Sequence, residues 1–517
     1  MLSLPALYMA EIEIKFATRQ SSHQLLEECV VPFVEKTGAR LEKLPAQSLQ
    51  NDYYDTPEQL FHEHKIGFRV RQNGDQIEQT VKTQGNVDAG LHARGEYNVS
   101  LSKPVPDLTL FPREIWPQDW NIVDINTQLS RQFSTHFKRE GYLVFWQNSQ
   151  IEMVVDKGEA ATEKISAEIN EIELELKTGR VEDLFALAAL VNQHAEVRLS
   201  DVSKAARGYQ LLHGWQLHVK PLPAVLPLHH NISTEAAFAE AVKCALAHWQ
   251  HHEHLFIETG SVKMLQEVGT SVRLLLQSVS LYLPVLQCPQ MLALHKQLMD
   301  YAQQWSWLDD LQSLRYLLSK KSLFARFLSK HPALVSYLQG RKAGLLHAHE
   351  PAHGFYATES TAIKLGAAQL LELKPWQSHA QGFDVPVMEH AKGWLSQGWQ
   401  TLQQSMPKNR NMQEANYAAI EMLLRQTLWN GFLLADMFPE EHGQFRAPWL
   451  DIVKGIDELK ALLILQNAIS DTELASPTEA REWVASKITS LVQVMERTRQ
   501  IAVQGDLYWQ NLNLNND

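Results

Sequence analysis

Along residues 1–215, apolar and polar positions alternate with a period of two in several short runs. From Ala10 to Phe16, Glu11, Glu13 and Lys15 fall on one face and Ile12, Ile14 and Phe16 on the other. Gly67 to Arg71 sets Arg69 and Arg71 opposite Phe68 and Val70. In Gln79 to Thr83, Thr80 and Lys82 share a face, as do Arg94, Glu96 and Asn98, and Glu152, Val154 and Asp156. Ile169 to Lys177 sets Glu171, Glu173, Glu175 and Lys177 against Ile172, Leu174 and Leu176. Period-two alternation of this kind predicts β-strands. Apolar spacings of three and four predict helices over 20–36, 180–194 and 203–213, so this part reads as α+β.

From residue 234 onward the spacing is helical throughout. Ser233 or Thr234 is an N-cap candidate, and helices are expected over 235–258, 262–283, 290–305, 307–320, 361–373, 387–405, 413–436, 449–469 and 478–504. The segment 340–358, rich in Gly, His and Pro, divides them into two groups, which predicts a pair of helical bundles. Between the halves, Pro221, Pro223 and Pro227 mark a stiff connector. The expected organisation is 1–216, a linker over 217–233, and 234–517.

Composition narrows the class of protein. Apolar residues make up 45% and charged residues 21% of 517, which is ordinary for a globular chain. The net charge of −12 argues against nucleic acid held by bulk electrostatics. Three cysteines without a Cys-x-x-Cys pair fit a reducing compartment. The first 16 residues lack the features of a signal peptide. No run of about 18 apolar residues predicts a membrane span. A cytoplasmic protein is expected. Residues 1–215 hold 22 basic and 31 acidic residues and the remainder 25 and 28, so most of the negative excess lies in the strand-rich part.

The strand faces then carry the chemistry. One alternating strand with a charged face is ordinarily a strand with one side in water. Six of them, with carboxylates concentrated on some and Arg or Lys on others, point instead to a closed sheet with its charges inside. A barrel of about eight strands has room for one small ligand, and unpaired charges inside it cost several kcal/mol each. Such a lumen calls for cations and an anion. Carboxylates without His or Cys favour Mg2+ or Mn2+ over zinc, and Arg with Lys favours phosphate oxygens. Together they suggest a metal-bound polyphosphate and phosphoryl transfer.

Ordered motifs over residues 9–213 sharpen this reading. Glu11-Ile12-Glu13-Ile14-Lys15 resembles the ExExK signature of the triphosphate tunnel metalloenzymes, the CYTH superfamily. Residues 52–57, 67–71, 80–82, 90–96, 137–139, 151–158, 171–175 and 203–209 resemble its later motifs in order. The resemblance implies an eight-stranded antiparallel tunnel that hydrolyses inorganic triphosphate with two divalent ions, Mg2+ or Mn2+. It implies metal ligation by Glu11, Glu13, Asp156, Glu171, Glu173 and Glu175. It implies phosphate binding by Lys15, Arg69, Arg71, Lys82, Arg94, Arg139 and Lys204, with Glu96 a further metal or water partner. Glu11, Glu13, Lys15 and Glu96 would form the catalytic set. Thiamine, nucleoside or RNA triphosphatase and adenylate cyclase chemistries belong to the same superfamily. A polyphosphate-binding module without catalysis is the alternative from another class.

The helical part, about 230–510, resembles a CHAD domain. Members of that family are associated with polyphosphate through a basic, histidine-bearing helix. Here residues 265–273 and 416–425 each keep one arginine, Arg273 and Arg425, and lack the histidine. With a net charge of −3, this half is expected to be a helical scaffold or to serve protein interaction, ahead of binding polyphosphate. His248, His251, His252 and His254 with Glu253 include an i, i+4 pair of zinc-binding spacing, and His347, His349 and His353 form a second group, expected in a loop. Both groups read first as ordinary histidines. Trp305, Trp307, Trp394, Trp399, Trp429 and Trp449 are expected in the bundle core, and Asp309 with Asp310 as a solvated or capping pair.

Overall fold

The computed structural model describes residues 7–83, 86–88, 91–214, 218–406, 410–438, 442–474 and 476–510, with side chains of 7–10, 86–88 and 91–94 set aside. The chain divides into two compact units. One comprises residues up to His218 together with Phe355–Leu373, and the other comprises Val219–Gly354 with the chain from Lys374 onward. The helix Thr358–Leu373 thus belongs with the strand-rich unit, where Thr361 Oγ1 donates to the Val197 carbonyl at 2.9 Å.

The first unit is built on an antiparallel sheet of β1 (Leu7–Thr18), β2 (Arg40–Lys43), β3 (Gln47–Asp55), β4 (Gly67–Asn73), β5 (Gln76–Lys82), β6 (Asn86–Asp88), β7 (Leu91–Leu101), β8 (Ser130–Trp146), β9 (Ser149–Ala161), β10 (Ser166–Thr178) and β11 (Val197–Leu199). The sheet has 11 strands rather than the eight expected. Eight of them close a circuit in the order β1, β10, β9, β8, β3, β4, β5, β7 and back to β1. β2, β6 and β11 pair onto its outside, so the additional strands extend the tunnel barrel without opening it. Register sets the faces: Lys15 lies opposite Glu173, and Glu171 opposite Asp156.

The outward faces are apolar and covered. Ile14, Phe16, Ile172 and Leu174 are buried, as are Leu184, Leu187, Ala188 and Val191 of the helix Val181–His194, which packs on β10. Phe68, Val81 and Val99 lie under Phe61, Phe111, Trp116 and Trp120. Burying each such side chain contributes on the order of 1.5–3 kcal/mol.

The interior is not charged along its whole length. Its inward positions Leu49, Phe137, Ala160 and Ile169 pack with Leu211, and Tyr53 and Phe133 pack with Tyr209, from the helix Lys204–His213. That helix plugs the interior with apolar side chains. Gly208 permits it: a Cβ there would meet Phe133 at 2.0 Å. Ser203 caps it by accepting from the Ala206 amide at 3.1 Å, which sets Lys204 at its first turn.

The second unit is helical as expected. Thr234–Thr259 pairs with Val262–Tyr282, and His442–Asp471 with Pro477–Ala502. Trp305, Trp399 and Trp449 are buried, while Trp307, Trp394 and Trp429 are partly exposed. Two expectations change. The segment 340–358 is no irregular divider, because the helix Pro332–His349 runs into it; His347 and His349 are therefore helical, and His349 stacks on Trp307 at 4.4 Å. The second part of the proline-rich connector is tied down, with the Leu226 amide donating to the Phe432 carbonyl at 2.9 Å and the Leu228 amide to Asp436 Oδ2 at 2.8 Å.

Candidate functional site: a charged cavity in the barrel

Above the apolar plug, the barrel holds a cavity of about 360 Å3. Inward positions from all eight circuit strands supply its wall. Glu11, Glu13 and Lys15 come from β1, Arg69 and Arg71 from β4, Lys82 from β5 and Glu96 from β7. Arg139 comes from β8, Glu152 from β9, and Glu173, Glu175 and Lys177 from β10, while Lys204 enters from the plug helix. The expected residues Glu11, Glu13, Lys15, Arg69, Arg71, Lys82, Glu96, Arg139, Glu173, Glu175 and Lys204 therefore meet in one space. The side chain of Arg94 lies outside the described residues.

Asp156 and Glu171 sit behind this wall, fully buried. Asp156 accepts from Arg139 Nε and Nη2, each at 2.7 Å. Lys204 Nζ lies 2.6 Å from Asp156 Oδ2, 2.9 Å from Glu173 Oε1 and also against Glu171. Oxygens of Asp156, Glu171 and Glu173 gather within 4.8 Å of one another, an arrangement suited to a cation. In this structure the cation among them is the Lys204 ammonium. Glu173 also takes Lys15 Nζ at 2.8 Å and an Arg139 guanidinium hydrogen bond.

The charges are unevenly matched inside the cavity. Burial together with Glu13 and Glu96 holds the Glu11 carboxyl above its ordinary value, although Lys82 Nζ reaches both its oxygens at 2.7 Å. Burial likewise pushes Glu175 up to about 6 despite Lys177 at 2.7 Å. Burial opposes ionisation of Glu96 and Glu173 too, but Lys82 and Arg69 in the first case, and Lys15, Lys204 and Arg139 in the second, hold these carboxyls well below the usual range. On the cationic side, burial and the adjacent Arg69 and Arg139 push Arg71 down to about 9. Its Nε donates to Asn51 Oδ1 at 2.7 Å, Asn51 Nδ2 donates to Thr135 Oγ1 at 2.9 Å, and no carboxylate among the described residues forms an ion pair with it. The cavity thus presents partly uncompensated acids on β1 and β10 and an uncompensated guanidinium on β4. Among the described residues no His or Cys lines it, so the acidic side offers oxygen donors, which fits a hard divalent cation.

Sequence reasoning missed Tyr53, Thr80, Asn98, Glu152 and Lys177 as wall residues, and Asn51 behind Arg71. Thr80, Asn98, Glu152 and Lys177 already lay on charged strand faces, so continuing each face to its end finds them. Asn51 and Tyr53 lie on β3, whose alternation is weak.

In the helical unit, the arginines of the two basic segments are paired. Arg273 meets Asp309 at 2.5 Å, and Arg425 meets Glu421 at 2.9 Å and also Asp457. Asp309 takes Lys460 as well, at 3.3 Å, so it is a network member rather than a capping residue.

Comparison with known proteins fits this geometry. Residues 9–209 match the family model of the CYTH domain. An inorganic triphosphatase of Haemophilus influenzae is 38% identical over 168 residues, 32% of this chain and 46% of that protein. The chain thus spans about half the length of this curated relative. A putative adenylyl cyclase from Hippeastrum, described as having a dominant triphosphatase activity, aligns with 39% of this chain and 95% of its own at 18% identity and a TM-score of 0.29. The CHAD domain from the plant Ricinus communis aligns with 55% of this chain and 97% of its own at 14% identity and a TM-score of 0.39.

Proposed function

We propose that the barrel cavity within residues 9–209, which match the family model of the CYTH domain, hydrolyses inorganic triphosphate to phosphate and diphosphate with the help of a divalent cation, Mg2+ or Mn2+. One observation carries the reading: a single cavity brings the carboxylates Glu11, Glu13, Glu173 and Glu175 together with Lys15, Arg69, Arg71, Lys82, Arg139 and Lys204. A metal-bound polyphosphate complements both sets.

Glu11, Glu13, Glu173 and Glu175 would hold the cation, which when bound offsets phosphate charge. Asp156 and Glu171, expected as metal ligands too, gather with Glu173 in a cluster suited to a cation and also hold Lys204 and Arg139 in place. Lys15, Arg69, Arg71, Lys82, Arg139 and Lys204 receive the phosphate oxygens, with the guanidinium groups giving forked hydrogen bonds and the ammonium groups point charges. Preorganised positive groups act most strongly in such a water-poor space. Glu96, kept ionised between Lys82 and Arg69, accepts a hydrogen bond from the attacking water. The water oxygen bonds to the terminal phosphorus as the bridging P–O bond breaks, and diphosphate leaves.

The experiment is phosphate release by the full chain from tripolyphosphate, ATP and thiamine triphosphate, with Mg2+ or Mn2+. Dominant release from tripolyphosphate, lost in Glu11→Ala and Glu173→Ala, is the expected result. Cyclic AMP from ATP would give the cavity another chemistry. Tight polyphosphate binding without turnover would make it a binding module.

A further inference from the structure

The helix Thr234–Thr259 carries His248 and His252 one turn apart, and the adjacent helix Val262–Tyr282 carries Glu267. One donor atom from each of these three residues lies within 4.8 Å of the others. Both imidazoles are buried and Glu267 is partly buried.

Hydrogen bonds fix how the rings are turned. Ser271 Oγ donates to the Glu267 carbonyl at 2.9 Å, which leaves only its lone pairs for His248 Nδ1 at 2.7 Å. His248 Nδ1 therefore carries the proton, and Nε2 a lone pair. His252 Nδ1 lies 2.7 Å from the His248 carbonyl oxygen, which only accepts, so this ring has the same tautomer. His252 Nε2 accepts from the Lys220 amide at 3.2 Å. His248 Nε2 is buried without a hydrogen-bond partner and faces Glu267 Oε2 at 3.6 Å. A buried nitrogen lone pair thus faces a carboxylate oxygen, with no hydrogen between them to satisfy either.

We propose that His248, His252 and Glu267 form a binding site for a divalent transition-metal ion of the zinc class, separate from the barrel cavity. Two imidazoles at i, i+4 with a carboxylate from the next helix make a ligand set that zinc accepts, with solvent in the fourth position. The bonds from Nδ1 to Ser271 and to the His248 carbonyl are of the kind that fix the tautomer and aim of metal-binding histidines. Two nitrogens and one oxygen select a borderline ion over Mg2+. Full chelation has His252 Nε2 exchange the Lys220 amide for the ion, so uptake releases one anchor of the segment that enters this unit.

The test uses the full chain, stripped of metal and held in excess Mg2+ so that the barrel carboxylates are engaged, and titrates it with Co2+ and then Zn2+. One equivalent of Co2+ is expected, with a visible d–d band that Zn2+ abolishes. His248→Gln and Glu267→Gln are expected to lose the band and weaken Co2+ binding by more than about 100-fold, since removing a ligand costs more than the 10–100-fold typical of its supporting partners. Glu267→Gln alters a partly exposed side chain and guards against a folding artefact: Zn2+ should raise the thermal midpoint of the wild type and leave this variant's unchanged. Absence of Co2+ binding, or wild-type affinity in both variants, would overturn the proposal. So would a band lost only on Glu11→Gln or Glu173→Gln, which would put the ion in the barrel.

Discussion

Replacing Lys204 with methionine removes an ammonium, and with it the cation placed 4.8 Å from the Phe137 ring centroid, while keeping most of the side chain's length. Lys204 is the close cation of three buried carboxylates, Asp156, Glu171 and Glu173. Asp156 and Glu173 keep Arg139, and Glu173 keeps Lys15. Among the described residues, the remaining ion-pair partner of Glu171 is Arg207 at 3.8 Å. Removing one partner from a buried pair costs about 3–5 kcal/mol, and the surviving Arg139 contacts place this case near 3. For a unit of this size, that lowers the midpoint by about 6–12 °C. Calorimetry of the full chain reads the change, with the barrel's transition identified by its shift on adding tripolyphosphate. One further sign follows. Mn2+ should restore part of the lost stability by entering the three-carboxylate cluster. A midpoint within about one degree of wild type, unmoved by Mn2+, would refute the view that Lys204 neutralises this cluster.

Other predictions follow from the same geometry. Arg71→Ala should weaken tripolyphosphate binding by roughly 10–150-fold, the range for one charged hydrogen-bonding group, and Asn51→Leu should produce a smaller loss through misplacement of Arg71; calorimetric titration in Mg2+ measures both. Mn2+ affinity should fall as pH drops below about 6, because protonation of Glu175 competes with the ion, and Glu175→Gln should flatten that profile. Gly208→Ala should destabilise the barrel by about 1–3 kcal/mol through overpacking on Phe133, whereas Gly443→Ala, where a Cβ meets nothing within 4 Å, should not; thermal midpoints compare them.

The strands that were legible in the sequence are those whose inner face is charged from end to end. β1 and β10 announce both their faces through Glu11, Glu13, Lys15 and Glu171, Glu173, Glu175. β8, with 17 residues, gives a poorer signal because its inner face changes character midway, from Phe133 and Phe137 against the plug helix to Arg139 in the cavity. Alternation also places Asp156 and Glu171 inward, and they are inward. What it cannot express is depth: the plug helix, 30 or more residues away in sequence, brings Lys204 over them. The helix Pro332–His349 was obscured by Gly340 and Gly344, whose weak helix propensity tertiary packing overrides through Leu334 and Leu338.

The most direct test of the central claim is phosphate release from tripolyphosphate by the full chain before and after removal of divalent metal. Release that requires Mg2+ or Mn2+, exceeds release from ATP and thiamine triphosphate, and collapses in Glu173→Ala is the predicted result. Release that persists in Glu173→Ala, or that survives complete metal removal, would contradict it.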